Sequence, residues 1–289
     1  MRVRFRIQKK YLKVPAGPFK VIYMFKILYA ADLHGNKALY NKLVEYTNKN
    51  KKIQAVVIGG DICPRFDASL EEYIKLQKEF IENFLIAKSK EIKIPLFIMM
   101  GNDDFKVNMS SLEKGEKQGA FKILHKKLNK INGKNIVGYS FVNETPFLLK
   151  DWEKLDDKDS KQITDPKFDV RTAAKEKGTI EEDLEKLKKL ADPKKTIYVI
   201  HAPPFDTNLD IIATKKHVGS RSVRKFIEKE QPFLVLSGHI HESVTASGEF
   251  MDRIGDSICI NPGSEYIDNI LNAAIIDLDN LEDIEHEMI

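Results

Sequence analysis

Short apolar runs recur along this chain, and most of them close on the same few polar residues. Phe25-Lys26-Ile27-Leu28-Tyr29-Ala30 is followed by Asp32-Leu33-His34-Gly35, and Ala55-Val56-Val57-Ile58 by Gly60-Asp61. Pro95 to Met100 runs into Gly101-Asn102-Asp103-Asp104, Thr196 to Ile200 into His201, and Phe233 to Leu236 into Gly238-His239-Ile240-His241. Runs of this length predict strands covered on both faces. Ile136 to Phe141, Ser257 to Ile260 and Ala273 to Ile276 predict three more.

Between the runs the period changes. Leu39, Leu43 and Val44 behind Asn36 predict a helix, and Tyr73, Ile74, Phe80, Ile81, Phe84 and Leu85 share one stripe of a helix from Ser69 to about Ser89. Thr179 and Glu182 have capping-box spacing ahead of Ile180, Leu184 and Leu187. Ser220 is placed to cap a helix carrying Val223, Phe226 and Ile227, which Pro232 stops. Strand alternating with helix predicts an α/β protein built on layered sheets. Residues 104–195 are less regular, and the charged stretch from Asp151 to Gly178, which holds the only tryptophan, Trp152, predicts solvated loops over one side. His125 and His286 sit in charged segments and are expected at the surface.

Composition narrows the class. A chain of 289 residues, 42% apolar and 31% charged, is a globular composition. No apolar run approaches the ~20 residues of a membrane-spanning helix, which excludes that class. Two cysteines, Cys63 and Cys259, are too few for a disulfide framework and suit a reducing compartment, the cytoplasm. Residues 1–23 carry seven Arg or Lys and no acid, and taking seven from the net charge of +4 leaves the other 266 residues at −3. That acidic balance excludes a general nucleic-acid binder. The first 23 residues read as a basic extension, with a short edge strand where Val3, Phe5 and Ile7 alternate with arginines, and 24–289 as a single domain.

In open α/β sheets, sites form outside the carboxyl ends of the strands. Asp32, His34, Asp61, Asn102, His201, His239 and His241 therefore gather at one rim. Oxygen and imidazole donors without thiolate suit a first-row ion such as Mn, Fe or Zn. Seven donors exceed one four-coordinate site and match two sites sharing a carboxylate. If the chain stays extended through Gly238–His241, residues two apart point the same way, so His239 and His241 face one spot.

The ordered series D-x-H, G-D, G-N-x-D, H and G-H-x-H, over roughly residues 25 to 264, resembles the calcineurin-like metallophosphoesterases. His201-Ala202-Pro203-Pro204, His217-Val218-Gly219-Ser220 and Asn261-Pro262-Gly263-Ser264 resemble a prokaryotic branch described as predicted phosphoesterases. The resemblance implies a four-layer αββα sandwich of two mixed sheets flanked by helices. It assigns Asp32, His34, Asp61 and His241 to one divalent ion, with Asp61 bridging to a second ion held also by Asn102, His201 and His239. Manganese is the first choice for both, with Fe, Zn or Ni as alternatives. The implied reaction is hydrolysis of a small-molecule phosphate ester, a phosphodiester or nucleotide-type substrate, by a metal-bridging hydroxide. Two divalent cations against two carboxylates leave a net positive centre suited to such an anion. The alternatives are a phosphomonoesterase or phosphoprotein phosphatase, or a non-catalytic protein-binding scaffold, and the seven filled positions favour catalysis. Neither a membrane nor a specific nucleic acid is expected as partner, and a homo-oligomer is left open.

One position departs from the pattern. Many active members of the family have histidine after the motif asparagine, where it helps protonate the leaving group; this chain has Asp103, followed by Asp104. An aspartate titrates near ~3.9, and excess positive charge lowers it further. Asp103 is therefore expected to be ionised and a poor acid, at a cost of about 10² to 10⁴ in rate. Slow turnover of alkyl esters and better turnover of aryl or nucleotide-type esters follow. The catalytic expectation rests on Asp103, Asp104 and His201. Substrate contacts are expected from Asn102, from Arg65 just beyond Asp61, and from His217 ahead of a helix start, where free N–H groups favour anions.

Overall fold

A computed structural model describes residues 24–289; the basic extension and its expected edge strand lie outside the described residues. The chain begins with β1 (Lys26–Ala30), α1 (Lys37–Lys49), β2 (Ile53–Ile58), α2 (Leu70–Phe80) and β3 (Leu96–Ile98). Past Phe80, α2 runs on through a π turn at Ile81–Leu85 into a last turn at Ile86–Ser89, so the stripe read from the sequence is one continuous helical rod. Next come α3 (Met109–Lys117), β4 (Lys122–Ile123), β5 (Leu128–Ile131) and β6 (Lys134–Tyr139). The second half has α4 (Ile180–Leu187), β7 (Thr196–Ile200), α5 (Arg221–Glu230), β8 (Leu234–Leu236), β9 (Met251–Ile254) and β10 (Ser257–Ile260). β11 (Asn272–Asp277) and β12 (Ile284–Met288) complete it.

The strands form two six-stranded sheets, ordered β12-β11-β1-β2-β3-β4 and β5-β6-β7-β8-β10-β9. β1 to β4 are mutually parallel, as are β6, β7, β8 and β10, while β11, β5 and β9 pair antiparallel. Both sheets are therefore mixed and flanked by helices. Of the strands the apolar pattern did not predict, β4, β5, β9 and β12 lie at the sheet edges, where exposed positions interrupt the apolar run.

Alternation along each central strand divides the core into layers. In β1, Ile27 and Tyr29 join Val57, Met99, Val199, Leu236 and Ile260 in a cluster drawn from both sheets, while Leu28 and Ala30 pack with Leu39, Leu43 and other helix residues. A strand buried on both faces needs apolar residues at every position, which is why the runs are unbroken. Helix starts follow the cap chemistry: Asn36 accepts from the backbone N–H of Ala38 and Leu39, Ser69 from Glu72, and Ser220 from Val223. Thr179 and Glu182 make both bonds of the capping box.

The expectation of solvated loops holds over residues 157–178, which are exposed or half-buried, and is corrected at the start of the segment. Lys150, Trp152, Lys154 and Asp156 are all buried. Lys150 Nζ donates to Glu153 Oε2 at 2.7 Å and Thr145 O at 2.8 Å, and Lys154 pairs with Asp183. Asp156 accepts from the N–H groups of Arg221 and Ser222, at the positive end of α5. A count of charges does not distinguish ions in water from ions paired with each other. His125 is likewise not a free surface residue. Its ring packs against Tyr139, Phe141 and Trp152 and its Nδ1 accepts from Ser140 N–H at 3.0 Å; His286 stacks on Phe250. Among the described residues no helix is long and apolar enough to cross a membrane.

Burial, with Lys126 and Lys106 nearby and against the pull of Glu176 and Asp183, lowers His125 to about 3. Unfolded chains take up that proton near ~6.5, so His125 lowers stability as pH falls from there toward 3. His125→Gln is expected to reduce the stability lost between pH 7 and 5 by 1 to ~2 kcal/mol, measured as the difference between urea unfolding curves at the two pH values.

Candidate metal centre

The parallel strands of both sheets end on the same side, and their carboxyl ends supply the site. Asp32 and His34 follow β1, Asp61 follows β2, Asn102 follows β3, His201 follows β7, and His239 and His241 follow β8. Hydrogen bonds within and between the sheets hold these ends together. His239 N–H donates to the Asp32 carboxylate at 3.0 Å, Gly238 N–H to His201 O at 3.1 Å, and Ser264 Oγ to Asp32 O at 2.7 Å.

All seven residues converge. The donor atoms of Asp32, His34, Asp61 and His241 lie within 4.8 Å of one another, and His34 Nε2 stands 3.0 Å from His241 Nε2. The other donors gather around Asn102, whose Oδ1 is 2.6 Å from His239 Nδ1 and 3.1 Å from His201 Nε2. Asp61 links the groups, with Oδ2 3.5 Å from His201 Nε2 and 3.9 Å from His34 Nε2. His201 Nδ1 faces Gly59 O at 2.9 Å, which places a proton there and turns Nε2 toward the centre, where a bound cation would take its lone pair in place of a proton. His34 Nδ1 is buried without a hydrogen-bond partner among the described residues. Paired carboxylates with imidazole lone pairs turned toward each other fit divalent ions of the first transition row.

The route to convergence differs from the extended strand expected at Gly238–His241. β8 stops at Leu236, and His239 has φ 68°, a left-handed conformation. The bend sends the two imidazoles to opposite sides of the centre, His241 to His34 and His239 to Asn102. Asp32, His34 and Asp61 also have positive φ, at 56°, 42° and 50°. Such conformations each cost on the order of 1 kcal/mol and persist where surrounding structure enforces them. Glycine supplies the clearance: a Cβ on Gly101 would lie 2.3 Å from Asp61 Oδ1 and 2.6 Å from His201 Nε2.

Buried carboxylates dominate the electrostatics. Burial alone raises both carboxyls, but His201 and His34 hold Asp61 well below the carboxylate range, and His241 and His201 lower Asp32. In return His201, which burial would lower, is raised to about 9 by Asp61 and Asp32. The two imidazoles farther from this balance go the other way under burial, His34 to about 4 and His239 to about 3. The pocket thus draws positive charge to its centre.

The remaining expected residues divide. Asp103 lies inside the cluster, with its N–H donating to Asp61 Oδ1 at 2.8 Å and its carboxylate paired with Arg65. Burial and Asp61 push Asp103 up to about 6, with Arg65 opposing. Burial is the larger of the two causes, and the lowering expected above belongs to a centre that holds its two cations. Arg65 spans the edge of the site, also reaching Tyr266 Oη at 3.3 Å. Asp104, expected as a catalytic group, accepts instead from the N–H groups of Gly101, Ile62 and Cys63 at 2.8, 3.0 and 2.8 Å. Its carboxylate ties the loop after β2 to the loop after β3. His217 lies apart from the seven, with Nδ1 2.7 Å from Asp210 Oδ1.

Two contributors were not among the site residues expected from the sequence. Tyr266 lays its ring on His34, with centroids 4.4 Å apart, and edge-on to His241. Asn261 Nδ2 donates to Leu209 O, Gly238 O and Ile240 O, bracing the loop that carries His239 and His241. The second belongs to a motif noted above as a resemblance; its three-way bond requires the fold.

A family model described as Calcineurin-like phosphoesterase matches residues 25–243. The uncharacterised protein MJ1162 of Methanocaldococcus jannaschii is 30% identical over 246 residues, covering 82% of this chain and 87% of its own. Among solved structures, a novel archaeal phosphodiesterase is 14% identical with a TM-score of 0.46, covering 92% of this chain and 100% of its own. A predicted phosphoesterase from Streptococcus pneumoniae is 12% identical with a TM-score of 0.32, covering 92% of this chain and 98% of its own.

Asp104→Ala would leave three buried N–H groups without partners. At roughly 1 kcal/mol or more for each, the variant is expected to lose about 3 kcal/mol of stability, measured by urea unfolding of the metal-free protein.

Proposed function

The chain belongs to the calcineurin-like phosphoesterase family and is a metal-dependent phosphoesterase, and from that membership we propose that it hydrolyses phosphodiesters or nucleotide-type esters at a dinuclear centre. Asp32, His34, Asp61 and His241 would hold one ion, and Asp61, Asn102, His201 and His239 the other. When bound, two divalent ions supply an acidified water as nucleophile and Lewis-acid contacts to the phosphoryl oxygens. We take manganese as the first choice, with Fe, Zn and Ni as alternatives, residues 24–289 as one domain, and the cytoplasm as the compartment suited to two unpaired, buried cysteines.

The observation that carries this reading is the convergence of seven donors, two of them buried carboxylates, on one centre at the carboxyl ends of two sheets. His201 keeps its Nε2 turned inward through the Gly59 carbonyl. Asn102 is oriented by donating Nδ2 to Asp103 Oδ1 at 2.9 Å, which leaves its Oδ1 for the centre. Arg65, paired with Asp103 at the rim, is placed to meet a phosphoryl oxygen, and His217 to meet the group beyond it. Asp103 stands 3.6 Å from His34 Nδ1, and Arg65 together with two bound cations would favour its carboxylate over the acid against the effect of burial. That supports weak proton donation to the leaving group and a preference for esters whose leaving oxygen departs without a proton.

Purified protein with Mn²⁺ is expected to hydrolyse bis(p-nitrophenyl) phosphate, with Ni²⁺, Zn²⁺ and Mg²⁺ assayed beside it. Loss of a residue behind a metal ligand commonly costs 10- to 100-fold, so His241→Ala or Asp61→Ala should lower kcat/KM by more than about 100-fold; full retention would sink the proposal. Asp103→His should raise kcat on an alkyl phosphomonoester, by up to about 10². No gain there would remove the weak-acid account.

A further inference from the structure

A cavity of about 680 Å³ opens beside His239, away from the Arg65 side of the centre. Its walls include Phe147, Ile163 and Phe205, with Asn143, His217 and Arg221 among the polar groups. The volume falls within the range of small-molecule sites. Another cavity, about 780 Å³, lies between α1 and the C-terminal strands and shares no residue with the centre.

We infer that this cavity binds a planar heteroaromatic ring carried by one ester arm of the substrate, so that the enzyme acts on nucleotide-type esters rather than on simple alkyl phosphates. The inference rests on the phosphoesterase reading of the adjoining centre. Four features support it. The first is continuity, because His239 belongs both to the centre and to the cavity wall. A group on phosphorus at the centre therefore has direct access to the cavity.

The second is Phe147. Its side chain is 50% exposed, and its ring stands edge-on to the His239 imidazole at 87°, with centroids 6.5 Å apart. Single exposed apolar side chains are ordinary, but this one rides on a braced loop. Glu153 Oε2 accepts from Thr145 N–H at 2.9 Å and from Lys150 Nζ at 2.7 Å, with all three residues buried. The bonded loop holds an aromatic ring in the cavity wall that Phe205 also lines. Ile163, 62% exposed, adds to the apolar rim.

The third and fourth are polar side chains in the wall. Asp210 is fully buried and accepts from His217 Nδ1 at 2.7 Å, which holds the His217 ring in the wall; Asp206, 3.7 Å from Nε2, is beyond hydrogen-bond reach. Asn143 lines the same wall and donates Nδ2 to Val218 O at 3.1 Å. A hydrocarbon tail would desolvate both side chains without pairing them. A heteroaromatic ring offers polar atoms at its edge while a face meets Phe147.

The test is isothermal titration of the Mn²⁺-loaded full chain with AMP and with methyl phosphate, which share the phosphate and differ in the ring. Stacking of a base on an aromatic side chain is worth about 10-fold or more in affinity. Wild type should bind AMP at least ~10-fold tighter than methyl phosphate. Phe147→Ala should erase that margin with methyl phosphate unchanged within about twofold, and Phe147→Trp should keep it. Ile163→Lys, at an exposed position, gives a second variant that should narrow the margin. Equal binding of the two ligands by wild type, or a margin untouched by both Phe147→Ala and Ile163→Lys, would overturn the inference. An AMP margin in protein that fails to hydrolyse bis(p-nitrophenyl) phosphate with any metal would support the cavity and overturn the catalytic reading.

Discussion

Two carboxylates buried where the sheets meet, Asp32 at 0% and Asp61 at 1% exposure, set the terms for the rest of the molecule. A buried ion costs several kcal/mol unless opposite charge and hydrogen bonds surround it. Here the compensation comes from across the sandwich: imidazoles from β7 and β8 meet carboxylates from β1 and β2. The sheets are therefore joined at this rim by charge as well as by the apolar layer between them. His201, held up to about 9, records how strongly the pocket draws a cation.

Holding such a centre open requires local structure that the bulk of the fold does not. Four of the seven donor residues occupy left-handed backbone, and glycines at 101 and 238 let chain segments approach within contact of the carboxylates. Asp104, Asn261 and Ser264 contribute no donor to the centre, yet their hydrogen bonds fix the loops that do. This layer explains why a strained arrangement persists: each loop is bonded to another loop, so relaxing one conformation breaks contacts in two places.

The segment between β6 and α4 gives the shared architecture its individual character. At its start, Lys150 pairs with Glu153 and Lys154 with Asp183 of α4, all buried, while Phe147, Leu148 and Ile163 turn outward. These buried pairs brace a wall with an apolar rim beside the metal centre. Broken, such ion pairs would cost more than exposed ones, because each partner would be left buried and alone.

Much of this was legible in the sequence. Strands buried on both faces announce themselves as unbroken apolar runs, helix starts are set by Asn36, Ser69, Thr179 and Ser220, and in layered α/β folds the strand ends collect the donors. These features depend on neighbours a few residues away, or on a rule every such sheet obeys. Tertiary structure alone decided that His239 and His241 diverge through a left-handed turn, that Asp104 braces backbone, and that Tyr266 covers His34. It also decided that Lys150, Glu153, Lys154 and Asp156 are buried and that His125 is enclosed by aromatic rings. Each of those outcomes depends on groups tens to hundreds of residues apart, and the free energy of a charge or a ring is set by what lies beside it in space rather than along the chain.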